Sequence, residues 1–208
     1  MMQKPTEAHL PSLKGKKNWQ GMRVGLLGGS FNPAHEGHVH ISLEAIKRLN
    51  LDSVWWLVSP KNPLKDAKEL VPYENRLAGA EALTKGQPNI QVSNLEEQFS
   101  TNLTIDTLTA LDRLCPNTQF IWLMGADNMV QFDQWVAWQD IVSLLPIAIL
   151  DRPGYSTKAL EGKFAKTYAN LKVAVEHAKT LGQASRNGWV FLTNPQHPQS
   201  STNIRNRK

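Results

Sequence analysis

Short apolar runs and amphipathic stretches take turns along this chain. Val24, Gly25, Leu26 and Leu27 make the first run, and Val39, Ile41, Leu43, Ala45, Ile46 and Leu49 then recur at helical spacing. Ser53–Val58, Ile90–Val92, Gln119–Met124, Ile147–Leu150 and Trp189–Leu192 read as further strands, short and mostly apolar. Between them, Tyr73–Leu83 and Leu103–Leu114 read as helices, the second with Ile105, Leu108, Leu111 and Leu114 along one side. Lys158–Ala178 reads as mostly helical. This alternation predicts an α/β fold: a single Rossmann-like, doubly wound parallel sheet with helices on both faces. Residues 1–22 hold Pro5, Pro11, Gly15 and Gly21 and show no apolar period, so they read as a flexible extension. Residues 23–208 form the single domain.

At 208 residues the chain is long enough for one substantial core. Its 41% hydrophobic and 20% charged content suits a globular protein in water. No apolar run reaches membrane-spanning length, and no signal-peptide pattern opens the chain. The single cysteine, Cys115, excludes an intrachain disulfide and points to a reducing cytoplasm. At a helix end beside Pro116, it reads as a packing residue rather than a nucleophile. The net charge of +5 sits at the ends: residues 1–23 and 201–208 carry the excess, and the stretch between is slightly acidic. That distribution argues against a nucleic-acid-binding face, which needs a basic stripe on a folded element.

The chemistry concentrates after the first strand. Gly28-Gly29-Ser30-Phe31-Asn32-Pro33-Ala34-His35-Glu36-Gly37-His38 carries a strand through a glycine turn into a helix start. Glycines let backbone approach a ligand, and a helix N-terminus offers free N–H groups and a positive dipole end. His35 and His38, three apart, point at the same place. Phosphate is the anion this arrangement suits. A His-x-x-His pair alone does not complete a zinc set, so no protein metal site is predicted.

Other candidates lie just past later strands, where ligands bind in open parallel sheets. Lys61 and Lys65 follow the second strand, Asp127 the fourth and Arg152 the fifth. Trp135 and Trp138 lie among acidic and amide neighbours, where an aromatic ring can stack on a flat heterocycle and Asp127 can bond ribose hydroxyls. Near the C-terminus, Ser200-Ser201-Thr202-Asn203-Ile204-Arg205 offers hydroxyls at a helix start and an arginine one turn later. Such hydroxyls are ordinary helix caps, or they are a second phosphate cradle.

The glycine-turn string resembles the G-G-T-F-D-P-x-H-x-G-H signature of the H-x-G-H nucleotidyltransferase superfamily, with Ser30 for Thr and Asn32 for Asp. The C-terminal string resembles its S-S-T-x-x-R motif. Gly125-Ala126-Asp127 with Trp135 and Trp138, Asp151-Arg152-Pro153-Gly154-Tyr155, and Thr104-Ile105-Asp106-Thr107-Leu108 resemble segments of bacterial nicotinate-nucleotide adenylyltransferases. Together these matches span residues 24–205. The resemblance implies adenylyl transfer from ATP to nicotinate mononucleotide, releasing pyrophosphate, with Mg²⁺ carried on the ATP phosphates. It implies catalytic roles for His38, His35 and Lys65. ATP would be held by Gly28, Gly29, Ser30, Phe31, His35, His38, Ser201, Thr202 and Arg205. The mononucleotide would be held by Ser30, Asn32, Lys61, Thr104, Thr107, Asp127, Trp135 and Arg152. Rival readings are another adenylyltransferase of the superfamily, with a phosphopantetheine or nicotinamide mononucleotide acceptor, and a non-catalytic nucleotide sensor. Expected partners are the two nucleotides alone, with neither nucleic acid nor membrane; the oligomeric state is left open.

Overall fold

The computed structural model describes residues 19–60, 70–183, 187–193, 199 and 201–205. Six strands form one sheet: β1 (Arg23–Gly29), β2 (Ser53–Val58), β3 (Ile90–Ser93), β4 (Gln119–Gly125), β5 (Ile147–Leu150) and β6 (Trp189–Leu192). Every pairing is parallel, in the order β3-β2-β1-β4-β5-β6. The chain winds outward from β1 to β3, then returns to β1's other side as β4. That reversal opens a crevice beyond the carboxyl ends of β1 and β4.

The strands are apolar on both sides because both faces of the sheet are covered. Successive side chains alternate between two cores, as the two-residue strand period requires. Val24, Leu26, Trp55, Leu57, Phe120, Trp122, Ile147, Ile149 and Trp189 point to one core. It is roofed by α4 (Thr104–Leu114), α6 (Trp138–Leu144) and α8 (Lys163–Thr167), through Leu108, Leu111, Ile141 and Phe164. Leu27, Val54, Trp56, Val58, Ile121, Leu123, Ala148 and Val190 point to the other. There the cover is α1 (Glu36–Leu49), α2 (Tyr73–Thr84) and a 3₁₀ stretch, Val175–Thr180, through Val39, Leu49, Ala80 and Ala178. The remaining helices are short: α3 (Leu95–Gln98), α5 (Ala126–Val130), α7 (Ser156–Leu160) and α9 (Ser201–Arg205).

The structure refines two expectations. Lys158–Ala178 is mostly helical, but in pieces: α7, α8 and two 3₁₀ turns, Ala169–Leu171 and Val175–Thr180. Gly162 caps α8, and Lys172 forms an isolated bridge to Trp189 beside β6. The sheet edge therefore claims backbone that a continuous helix would have kept. The domain also begins before residue 23. Trp19 is buried against the edge of Trp55, ring centroids 4.6 Å apart, and its carbonyl accepts from the Thr118 hydroxyl at 2.8 Å. An aromatic pair of this kind adds about 1 kcal/mol beyond the area it buries. Among the described residues, no helix is long and apolar enough to cross a membrane.

Candidate active site

The crevice is a cavity of about 390 Å³ whose floor is the end of β1. Gly28 lies against Trp122, and a Cβ there would sit inside the indole ring's contact distance. The strand can carry nothing larger while Trp122 stays under it. Phe31, two residues past the strand, adopts a left-handed φ of 44° and the Asn32–Pro33 peptide bond is cis. For a non-glycine residue such a conformation costs on the order of 1–2 kcal/mol, so the surroundings must hold it. They do: the Phe31 ring is buried and stacks on Trp56 at 4.9 Å, nearly parallel.

The turn delivers both histidines to one place. His35 is the N-cap of α1 and His38 its third residue, their ring centroids 3.8 Å apart. His38 Nδ1 accepts the His35 backbone N–H at 3.2 Å. Acceptance at Nδ1 puts the ring proton of neutral His38 on Nε2, a donor suited to phosphate oxygen. The ring rests against Phe31 at 4.9 Å and Trp56 at 5.8 Å, an aromatic backing that limits its orientations. Trp56 Nε1 donates to Ser42 Oγ, and Ser42 donates to the His38 carbonyl, both at 2.8 Å. The backing and the start of the helix are thus tied together.

A buried arginine gathers four backbone carbonyls beside the turn. Arg76 of α2 donates to the carbonyls of Ser30 at 2.6 Å, Ser59 at 2.7 Å, Pro60 at 3.0 Å and Val71 at 3.0 Å. The Val71 N–H in turn donates to Asn32 Oδ1 at 3.1 Å. Burial lowers the Arg76 pKa and Tyr73, under its guanidinium, raises it. The shift starts from so high a value that the group stays charged.

From the far end of the sequence, α9 reaches the same turn. Ser201 Oγ donates to the Pro33 carbonyl at 2.9 Å, Arg205 to the Asn32 carbonyl at 2.7 Å, and Glu36 N–H to Gln199 Oε1 at 3.1 Å. Gly37 is the close approach here, since a Cβ would crowd the His35 ring and the Gln199 carbonyl. Ser201, Thr202 and Arg205 all line the cavity.

The opposite wall comes from the ends of β3, β4 and β5. Asp127 and Arg152 form an ion pair at the mouth, about a quarter to a third exposed, and Asp151 accepts from the Ser156 hydroxyl at 2.5 Å. Trp135 lines the wall and meets Trp122 and Phe132 edge-on, at 6.2 and 5.3 Å. Asn102, Leu103 and Thr104 complete that side, next to Glu96 of α3. Glu96 is 4% exposed, and burial raises its carboxyl to a pKa of about 7, against a lowering hydrogen bond from Ser59. Its Oε2 has no hydrogen-bond partner among the described residues.

The cavity thus gathers Gly28, Gly29, Ser30, Phe31, His35, His38, Thr104, Asp127, Trp135, Arg152, Ser201, Thr202 and Arg205. It does not gather all the candidates. Asn32 is buried outside its wall, its side chain taken by Val71. Thr107 is fully buried within α4, one turn past Thr104 and facing the core. Trp138 turns inward on Phe132, Phe164 and Tyr168 rather than toward a ligand. Lys61 and Lys65 lie outside the described residues. Cys115 is buried at the end of α4, and burial pushes its thiol up, away from nucleophilic use. Sequence reading missed Arg76 and Glu96. Arg76 could have been found: with Ala80 and Thr84 it keeps the four-residue spacing of the buried side of α2. Glu96 carried no such signal. Among the described residues, no group of three or more His, Cys, Asp or Glu is placed to hold a metal ion.

Comparison with known proteins gives the family and the fold. Residues 26–207 match the model of the cytidylyltransferase-like family. The chain is similar to a probable nicotinate-nucleotide adenylyltransferase of Parvibaculum lavamentivorans, 44% identical over 90% of this chain and 92% of that one. A protein of the same description from Bradyrhizobium sp. is 46% identical over 89% of this chain and 96% of its own. In three dimensions the chain resembles the Plasmodium falciparum nicotinic acid mononucleotide adenylyltransferase complexed with NaAD. That likeness has a TM-score of 0.64 at 18% identity, covers 89% of this chain and 83% of that one, and bears on the fold.

Proposed function

We propose that this chain, which belongs to the cytidylyltransferase-like family, transfers the adenylyl group of ATP to nicotinate mononucleotide. The products are nicotinate adenine dinucleotide, on the route to NAD, and pyrophosphate. The observation that carries the reading is the meeting of two phosphate-suited elements at one turn. His35 and His38 stand on one side of it, Ser201 and Arg205 on the other. Relatives bearing the activity's name match this chain at 44–46% identity over nearly their whole length.

In this reaction the mononucleotide's 5′-phosphate oxygen attacks the α-phosphorus of ATP in line. A new P–O bond forms as the bond to the bridging α–β oxygen breaks, and that oxygen leaves with pyrophosphate. A phosphate dianion is already nucleophilic near neutral pH, so the protein's work is alignment and charge neutralisation. His38 Nε2–H and the amides of the glycine turn donate to phosphate oxygens, and His35 supports the pair from the helix cap. Arg205, already at the Asn32 carbonyl, turns to the β- and γ-phosphates as ATP binds. Mg²⁺ enters as the counter-ion of ATP, held by phosphate oxygens and water. Trp135 stacks on the pyridine ring, and the wall from Asn102 to Thr104 meets its substituent. Asp127 and Arg152 open from each other to take ribose hydroxyls. Substrates of this kind place the enzyme in the cytoplasm.

The test is an assay of pyrophosphate release from Mg-ATP with nicotinate and nicotinamide mononucleotides in parallel, the dinucleotide product identified by mass. The acid should be preferred by at least about tenfold in kcat/KM, or roughly 1.4 kcal/mol. Equal use of both would remove the nicotinate assignment. Release only with a phosphopantetheine acceptor would move the chain to another reaction, and no release with any acceptor would leave a nucleotide-binding protein.

A further inference from the structure

Glu96 has no part in the chemistry described so far, yet it is buried and lines the cavity. A carboxyl so placed needs partners, and one of its two oxygens, Oε2, has none among the described residues. It belongs to the wall beside Trp135: Thr101 N–H donates to the Glu96 carbonyl at 3.0 Å, which makes α3 and the 102–104 strip one continuous surface. We infer that Glu96 contacts the substituent on the pyridine ring of the acceptor and sets the choice between acid and amide. This rests on the acceptor being a pyridine mononucleotide, as proposed above.

The chemistry of the two protonation states opposes itself. A neutral carboxyl donates its O–H to a ring carboxylate, a charge-assisted bond shorter and stronger than a neutral one. An ionised carboxylate repels that same group and accepts instead from the NH₂ of an amide. Burial holds the side chain near the midpoint of these states, at about 7, with the Ser59 hydroxyl as its hydrogen-bond partner. Other titratable groups face this region. Tyr73 and Arg76 look in from α2, Glu74 stands exposed beside Tyr73, and Glu97 is the exposed neighbour on α3 itself. Asp106 of α4 lies beyond, accepting from the Thr101 hydroxyl at 2.8 Å. His35 and His38 line the same cavity. Ionisation of the substrate 5′-phosphate acts on both acceptors alike and cancels in the ratio of the two kcat/KM values. A charged histidine favours the acid, and does so equally in Glu96→Gln, so the slope that this variant loses belongs to Glu96.

The experiment is that ratio, nicotinate over nicotinamide mononucleotide, measured on the full chain and on Glu96→Gln from about pH 6 to about pH 8.5. In the unaltered protein it should fall by at least about fivefold across this range, centred near the Glu96 midpoint. In Glu96→Gln, which cannot ionise, the ratio should keep only the slope that the histidines give. A flat ratio in the unaltered protein overturns the inference, whether or not the variant folds. So does the same slope in both proteins. Absence of turnover with either acceptor would overturn the functional reading and this inference with it, a result distinct from turnover at a constant ratio.

Discussion

The guanidinium of Arg205 donates to the main-chain carbonyl of Asn32 at 2.7 Å, across 173 positions of sequence. The last helix is thereby latched onto the turn that follows the first strand, and a phosphate bound at that turn meets both. One contact places a cation at the site and ties down a segment that packs little apolar surface.

Replacing Arg205 with Ala should therefore weaken ATP binding more than it harms the fold. KM for ATP should rise roughly tenfold or more, as for loss of a charge-assisted phosphate contact. The melting temperature should hardly move, since one part-buried hydrogen bond contributes only about 1 kcal/mol. Steady-state kinetics with ATP varied decides it; an unchanged KM would make α9 a cap and nothing more.

His38→Ala should lower kcat by about 10²-fold while mononucleotide affinity holds, because the donor at Nε2 acts chiefly on charge that develops as pyrophosphate leaves. Single-turnover rates beside equilibrium binding separate the two effects. A kcat near normal would take His38 out of the chemistry.

Arg76→Ala should be among the most damaging single changes in the chain. It strands the carbonyls of Ser30, Ser59, Pro60 and Val71, four partners of one buried guanidinium. The expected loss is about 3 kcal/mol or more, read from denaturant unfolding. Arg76→Lys, with a point charge in place of a planar fork, should recover only part of it. A loss under about 1 kcal/mol would mean that water replaces these bonds freely.

Glu96→Gln should stabilise the protein at neutral and alkaline pH. The folded carboxyl titrates near 7, above the ordinary glutamate value of 4.5. Between those values the folded state holds a proton that the unfolded chain has released. Stability due to Glu96 is therefore full below about 4.5, declines as pH rises and levels off above about 7. Glutamine removes that decline, worth up to about 3 kcal/mol in the alkaline limit. Melting curves of the two proteins should nearly coincide at about pH 4.5 and separate by about pH 8. Curves that stay parallel would mean the carboxyl is solvated.

Reading the strands from sequence works here because all but the edge strand β3 are largely buried on both faces, so each is a mainly apolar run between polar stretches. Ser53–Val58, Ile147–Leu150 and Trp189–Leu192 have the limits their hydrophobicity predicts. The histidine turn is legible for another reason: its chemistry is local, and eleven consecutive residues carry it. What escapes is decided at a distance. Arg76 looks like a solvated helix charge until the chain brings four carbonyls to it. Glu96 and Glu97 are indistinguishable in sequence, and only the packing of α3 buries the first. Thr104 and Thr107 sit in one motif and on one side of α4, but depth separates them: the first opens the helix at the cavity, and the second lies buried a turn further in. Lys158–Ala178 has helical composition, yet an edge strand bids for part of its backbone.

The hold of Arg205 on Asn32 also orders events in time. Translation makes the glycine turn 173 positions before the arginine that latches it. Once β6 is free, β1 to β6 can assemble and bury their tryptophans with or without α9. The strained backbone at Phe31 is then held by the packing of its ring on Trp56 and His38 and by Arg76 at the Ser30 carbonyl. A molecule clipped or stalled before α9 would look native to any probe of the sheet, yet would meet ATP with half its phosphate grip. Quality control that senses exposed apolar surface would pass such a chain, so its defect would show in turnover and not in abundance.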